Sequence, residues 1–149
     1  GPTQGAALEY GRADRLEGRA VSHGIEIVQQ LARRFQAGDF DAAFQLYDPR
    51  IRIEQPASLP HGGVHEGHEG VRAMGAKFAE YWTRTISEPS RTACADGRVL
   101  QVTTQTWTAK STGRSASMDV LELFSFSAGL ISEIRVFQHD TQRLLATLE

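Results

Sequence analysis

At Pro89 the period of the hydrophobic pattern changes, and that change limits the available folds more than any motif does. Before it, Ile25, Val28, Leu31, Ala32 and Phe35 recur at helical spacing and stop at Gly38, where a helix cap would place its glycine. Asp39 can cap a second helix with Phe40, Ala43, Phe44 and Tyr47 as its buried stripe, closed by Pro49. Ile51-Arg-Ile-Glu-Gln55 then alternates as a half-buried strand up to Pro56, and its parity turns Gln55 inward with Ile51 and Ile53. After a glycine-rich loop, a third helix is expected to about Ser87, with Val71, Met74, Phe78, Tyr81 and Trp82 on one side. Beyond Pro89, β-branched and aromatic residues alternate between turns at Asp96-Gly97, Thr112-Gly113-Arg114 and Ala128-Gly129, which predicts an antiparallel meander of about four strands. Asp140 opens a short last helix carrying Leu144, Leu145 and Leu148. Helices, strand, helix and strands in that order describe an α+β domain with helices on one face of a curved sheet.

Composition narrows the function. A chain of 149 residues with 40% hydrophobic content can bury about 70% of its unfolded surface in one core without disulfides. Its 16 Lys+Arg against 18 Asp+Glu provide no basic field for a phosphate backbone, so no nucleic-acid partner is expected. The single Cys94 allows no intrachain disulfide and no thiolate pair for zinc, as suits a reducing, cytoplasmic setting. No run approaches the roughly 18 apolar residues of a membrane span, and no signal peptide is evident, so no membrane partner is expected. Gly1-Pro2 resembles the scar of a cleaved expression tag, and residues 1–20 read as an arm with peripheral packing at most.

Few constellations carry chemistry. His61, His65 and His68 are close enough to suggest a metal, but they sit in a glycine-rich loop without a zinc-site signature, so solvent-exposed or loop-bonding histidines are expected and no metal. Neither a nucleophile elbow nor a phosphate-binding glycine motif is present. Glu122 stands out. In Met118–Phe126 its parity partners are Val120, Phe124 and Phe126, with Leu121 and Leu123 opposite, so the carboxylate is expected between two apolar layers. Burial there would raise its pKa toward that of a general acid or base, unless it is an edge residue bonded to an arginine such as Arg135. Asp140 after the last strand suits a helix cap, an acid/base role, or both. Phe78, Tyr81, Trp82 and Trp107 suit either a core or the wall of a pocket for a flat apolar ligand.

Several stretches together resemble a known family. They are Ala37-Gly-Asp-Phe-Asp-Ala-Ala-Phe-Gln-Leu-Tyr47, the strand ending Glu54-Gln-Pro56, and His61-Gly-Gly-Val-His-Glu-Gly-His-Glu-Gly-Val71 opening a helix. Later come Thr112-Gly-Arg-Ser115, Asp119–Phe126, Gly129–Arg135 and Asp140-Thr before a Leu-rich helix. In this order they resemble the nuclear transport factor 2-like superfamily, in its SnoaL-like polyketide cyclase and ketosteroid isomerase-like branch, over residues 21–149. The resemblance implies a single domain shaped as a cone, a strongly curved mixed sheet wrapped around about three helices, with a deep apolar pocket and often a homodimer. Position by position, the general base of the steroid isomerases falls on Gln55, their oxyanion tyrosine near Leu31 and their second oxyanion acid on Glu122. The water-holding residues of limonene epoxide hydrolase fall on Thr103, Gln105 and near Val136, and the acid/base Asp of SnoaL-like cyclases falls on Asp140.

The expectation is thus a cofactor-free enzyme that binds an apolar polyketide- or terpenoid-sized molecule and isomerises it, cyclises it or opens an epoxide. Glu122 and Asp140 would be the catalytic pair. Gln55, His65, Gln105 and Gln138 would position the substrate, and Phe78, Tyr81, Trp82, Trp107, Phe124 and Val136 would form the wall. A non-catalytic ligand carrier and a dimerisation module with a filled interior are the alternatives.

Overall fold

The computed structural model describes residues 23–149, so the N-terminal arm lies outside the described residues. Helical backbone runs over 23–36 (α1), burying Ile27, Val28 and Leu31, and Gly38 ends it at φ +75°. Helix α2 (Phe40–Phe44) starts at Asp39, whose carboxylate accepts from the Ala42 N–H at 3.0 Å, a cap contributing about 1 kcal/mol.

Two expected boundaries move. Tyr47 does not extend α2 but begins β1 (Tyr47–Gln55), and Pro49 lies inside that strand. The register of β1 against its neighbour shifts between Tyr47 and Arg52, and such an irregular stretch tolerates a residue without an N–H. Short β2 (Gly63–Glu66), in the segment read as loop, pairs antiparallel with β1. Helix α3 (Gly67–Tyr81) then ends before Trp82 rather than near Ser87. Trp82-Thr-Arg-Thr-Ile86 is strand β3, because its β-branched and aromatic residues pair in full with the next long strand, from Trp82 opposite Ala109 to Ile86 opposite Gln105.

The meander forms as expected from β4 (Ser90–Ala93), β5 (Val99–Ala109), β6 (Ser115–Ser127) and β7 (Leu130–Gln138). Strands β3 and β4 follow one another along the same edge of β5. Ala128 at φ 50° and Gly129 at φ 79° turn β6 into β7 with the left-handed geometry of a two-residue hairpin. Helix α4 (Thr141–Ala146) closes the chain, capped by Asp140, which accepts from the Gln142 and Arg143 N–H groups.

The sheet runs β2-β1-β7-β6-β5-β3, with β4 also on β5; only β1 against β7 is parallel, so a mixed seven-stranded sheet curves around the helices in one α+β domain. Its apolar content forms two clusters. One joins α1 and α2 to Ile51, Ile53, Phe124, Ile131 and Ile134. The other gathers Leu59, Trp82, Trp107, Met118 and Leu144 under α4. Among the described residues no helix is long and apolar enough to cross a membrane.

Candidate functional site

Between the concave face of the sheet and helices α1 to α3 lies a cavity of about 760 Å³, within the range of small-molecule sites. Strand pleat decides its lining. Along β5 every second residue faces it, Gln101, Thr103, Gln105 and Trp107. Opposite them β6 contributes Val120, Glu122 and Phe124, and β7 contributes Ile134, Val136 and Gln138. The helices close it with Leu31, Phe44, Val71, Met74 and Phe78.

Glu122 is held from β5. Arg91 Nε donates to Gln101 Oε1 at 2.8 Å, and Gln101 Nε2 donates in turn to Glu122 Oε1 at 3.2 Å. Arg135 is not its partner, since it pairs with Glu54 at 3.3 Å on the other face. Burial pushes the Glu122 carboxyl above its ordinary range, opposed by the Arg84 charge, the Gln101 hydrogen bond and the Arg91 charge. Tyr47, buried in the same lining, has its phenol pushed far up by burial and by the charge of Glu122, so it remains an O–H.

A second polar chain follows the floor: Trp107 Nε1 donates to Gln105 Oε1 at 2.9 Å and Gln105 Nε2 to Thr103 Oγ1 at 3.2 Å. At the Trp107 end His61 is 3% exposed, its ring 5.3 Å from Phe78 and 5.7 Å from Trp107. Burial, then the Arg84 and His65 charges, lower its pKa to about 4, so it is neutral at pH 7. The turn that carries it demands glycine at position 62, where a Cβ would stand 2.4 Å from the Pro56 carbonyl oxygen. His61 Nδ1 and Gln138 Oε1 are buried without a hydrogen-bond partner, and both residues line the cavity.

Comparison with known proteins bears on this arrangement. The family model described as SnoaL-like domain matches residues 28–134, from within α1 into β7. The chain belongs to the SnoaL-like domain family. No curated protein matches it. Solved structures similar to this SnoaL-like chain include an NTF2-like protein from Burkholderia xenovorans LB400, with 25% identity, 86% of this chain and 97% of that chain covered, and a TM-score of 0.77. TerC co-crystallized with polyporic acid follows at 18% identity, 85% and 98% coverage and 0.75. A candidate polyketide cyclase from Xanthomonas campestris pv. campestris has 16% identity, 87% and 99% coverage and 0.73. The last two likenesses speak for the fold.

Within the SnoaL-like domain the residues singled out by sequence divide into two groups. Glu122, Gln55, Phe78, Gln105, Trp107, Phe124, Val136 and Gln138 line the cavity, as do Leu31 and Thr103, which the resemblance singles out. Asp140, His65, Tyr81 and Trp82 are not in the lining. Asp140 is occupied as the α4 cap, and His65 Nε2 bonds the His61 carbonyl at 2.7 Å. Trp82 donates its indole N–H to Thr147 within the second cluster. The three histidines lie on a turn, on β2 and on α3, and they diverge rather than converge: His68 bonds the Tyr47 carbonyl at 3.3 Å, and His61 is enclosed by aromatics rather than exposed.

Sequence reasoning missed Gln101, Tyr47, His61, Arg84 and Arg91. Parity with Gln105 and Trp107 was a sufficient signal for Gln101. Arg84 was hidden behind the helical spacing expected to run to Ser87, and placing Arg91 on the cavity face needed the register of β4 against β5, a long-range pairing.

Proposed function

We propose that this SnoaL-like protein is a cofactor-independent acid/base enzyme acting on a polyketide- or terpenoid-sized molecule, by isomerisation, cyclisation or epoxide opening. The carrying observation is Glu122, the one carboxyl in the cavity lining among the described residues, half-buried between the buried Val120 and Phe124 and fixed by Gln101. A carboxyl whose pKa burial raises holds its proton more readily than an ordinary one and can pass it to a substrate and take one back, as general acid/base catalysis requires. In this reading Glu122 moves the proton, while the Tyr47 phenol and the neutral His61 supply hydrogen bonds to substrate oxygens. Asp140, engaged at the α4 cap, takes no part. Solved structures with this fold include a candidate polyketide cyclase and TerC with polyporic acid, which supports a small organic molecule as the occupant.

Ligand carriage without turnover is the second reading, favoured by the lack of a second carboxyl in the lining among the described residues. Incubation with a panel of polycyclic ketones, enols and terpene epoxides, followed by mass spectrometry and chromatography, separates the two. An enzyme gives an isomeric or hydrated product whose formation Glu122→Gln abolishes. Recovery of every bound compound unchanged would establish the carrier.

A further inference from the structure

The cavity has an unbalanced charge along one edge. Three arginines line it, Arg72, Arg84 and Arg91, against the single Glu122 among the described residues. Arg72 is matched by Asp41 at 3.1 Å and lies over the Phe44 ring. Arg84 and Arg91 have no carboxylate within ion-pair distance among the described residues, whereas Arg52, Arg98 and Arg135 each do. Glu88 acts on Arg91 only from beyond that distance.

Strand register brings both to the concave face. Arg84 on β3 stands opposite Trp107, and Arg91 on β4 stands opposite Gln101; residues paired across strands share a face, and both partners line the cavity. Arg84 lays its guanidinium 4.9 Å from the centre of the Phe78 ring, which leaves its N–H edge for another acceptor. Arg91 engages Gln101 through its Nε and keeps its terminal nitrogens for another acceptor. A guanidinium beside an apolar cavity without an anion gains most from a ligand that brings one, because charge-assisted hydrogen bonds are about twice as strong as neutral ones.

We infer that the β3–β4 edge is an anion-binding rim and that the ligand is an organic anion, an apolar body bearing one acid group that docks against Arg84 and Arg91. The inference rests on the reading of the cavity as a ligand site, and it holds whether Glu122 turns the ligand over or the protein only carries it.

A matched pair of fluorescent probes tests it: 1-anilinonaphthalene-8-sulfonate, and N-phenyl-1-naphthylamine, the same skeleton without the sulfonate. Titrated into the full chain at neutral pH, the sulfonate should bind on the order of tenfold more tightly than the amine, and less so as salt rises. Arg84→Gln/Arg91→Gln should erase that preference by bringing the sulfonate down to the affinity of the amine, whereas Arg143→Gln, exposed on α4 and outside the lining, should leave both intact. Equal binding of the two probes to the unaltered protein, or a double variant that keeps the preference or weakens both probes alike, overturns the anion rim and leaves the ligand site standing. Failure of both probes to bind overturns the reading of the cavity itself and the rim with it.

Discussion

Gln101 faces Glu122 across the β5–β6 pair, and its amide can be oriented in only one way. Arg91 only donates, so the amide oxygen must turn toward Arg91 and the amide nitrogen toward Glu122 Oε1. One carboxylate oxygen is therefore permanently an acceptor. The proton that Glu122 gains or loses resides on Oε2, the oxygen not held by Gln101. The free oxygen of the carboxyl thus lies on one defined side, and the arginine that fixes this lies two strands away.

Glu122→Gln should lower turnover by 10²-fold or more while leaving ligand affinity within a few-fold, because the amide keeps the shape but carries no exchangeable proton for the reaction. Asp140→Asn is the contrasting variant. Asparagine caps a helix as well as aspartate does, and Asp140 is outside the cavity lining, so turnover should stay within about threefold. A comparable loss in both variants, measured as kcat on a common substrate, would return Asp140 to the catalytic pair.

The same Glu122→Gln change should stabilise the fold at neutral and alkaline pH. With its pKa raised in the folded state, Glu122 holds a proton that the unfolded chain has already released, so the wild-type protein loses stability as pH rises from the unfolded carboxyl pKa through the folded one. The amide of the variant does not titrate and carries no such dependence. Urea unfolding of both proteins should show the variant ahead at pH 8 and the gap closing toward pH 4; a gap that is constant with pH would mean that Glu122 bears no desolvation cost.

How much of this was legible in the sequence depends on the range of each interaction. The Ala128-Gly129 turn, the caps at Asp39 and Asp140 and the inward parity of Gln55 and Glu122 are local, and each could be read from neighbouring residues. Trp82-Thr-Arg-Thr-Ile86 could not, because its aromatic continues the spacing of Phe78 while its strand state is decided by β5, some 20 residues later. Most of the positions carried over from the family resemblance fall in the cavity lining. Leu31, Gln55, Thr103, Gln105, Glu122 and Val136 all belong to it, whereas Asp140 falls outside.

His61 should make the protein acid-sensitive. Its folded pKa of about 4 lies below the unfolded value of about 6.5, so between these limits the unfolded chain binds a proton that the folded one refuses, and stability falls as pH drops. The span corresponds to about 3 kcal/mol at most, and solvent reaching the ring through the cavity screens part of it. His61→Phe keeps an aromatic ring among Phe78, Trp82 and Trp107 and removes both the titration and the unpartnered Nδ1. Urea unfolding at pH 7 and pH 4 should show the wild-type protein losing roughly 1–3 kcal/mol more stability than the variant. Parallel losses would place the acid sensitivity elsewhere.

The last helix is tied to the sheet by one buried polar contact that can be isolated. Trp82 Nε1 donates to Thr147 Oγ1 at 2.8 Å, and that hydroxyl donates onward to the Leu144 carbonyl at 2.6 Å, with Trp82 only 1% and Thr147 4% exposed. Thr147→Val preserves the volume but strands the indole N–H in an apolar cluster, which should cost about 1–3 kcal/mol. The Thr112 hydroxyl, which donates to the Thr147 backbone carbonyl, still anchors the segment, so α4 should remain docked. Introducing the same change into Trp82→Phe, where no donor is left to strand, should cost far less; the difference across this double-mutant cycle measures the contact itself. Equal costs of Thr147→Val in both backgrounds would mean that the indole finds another partner and that α4 is held by Leu144 packing and the Thr112 hydrogen bond instead.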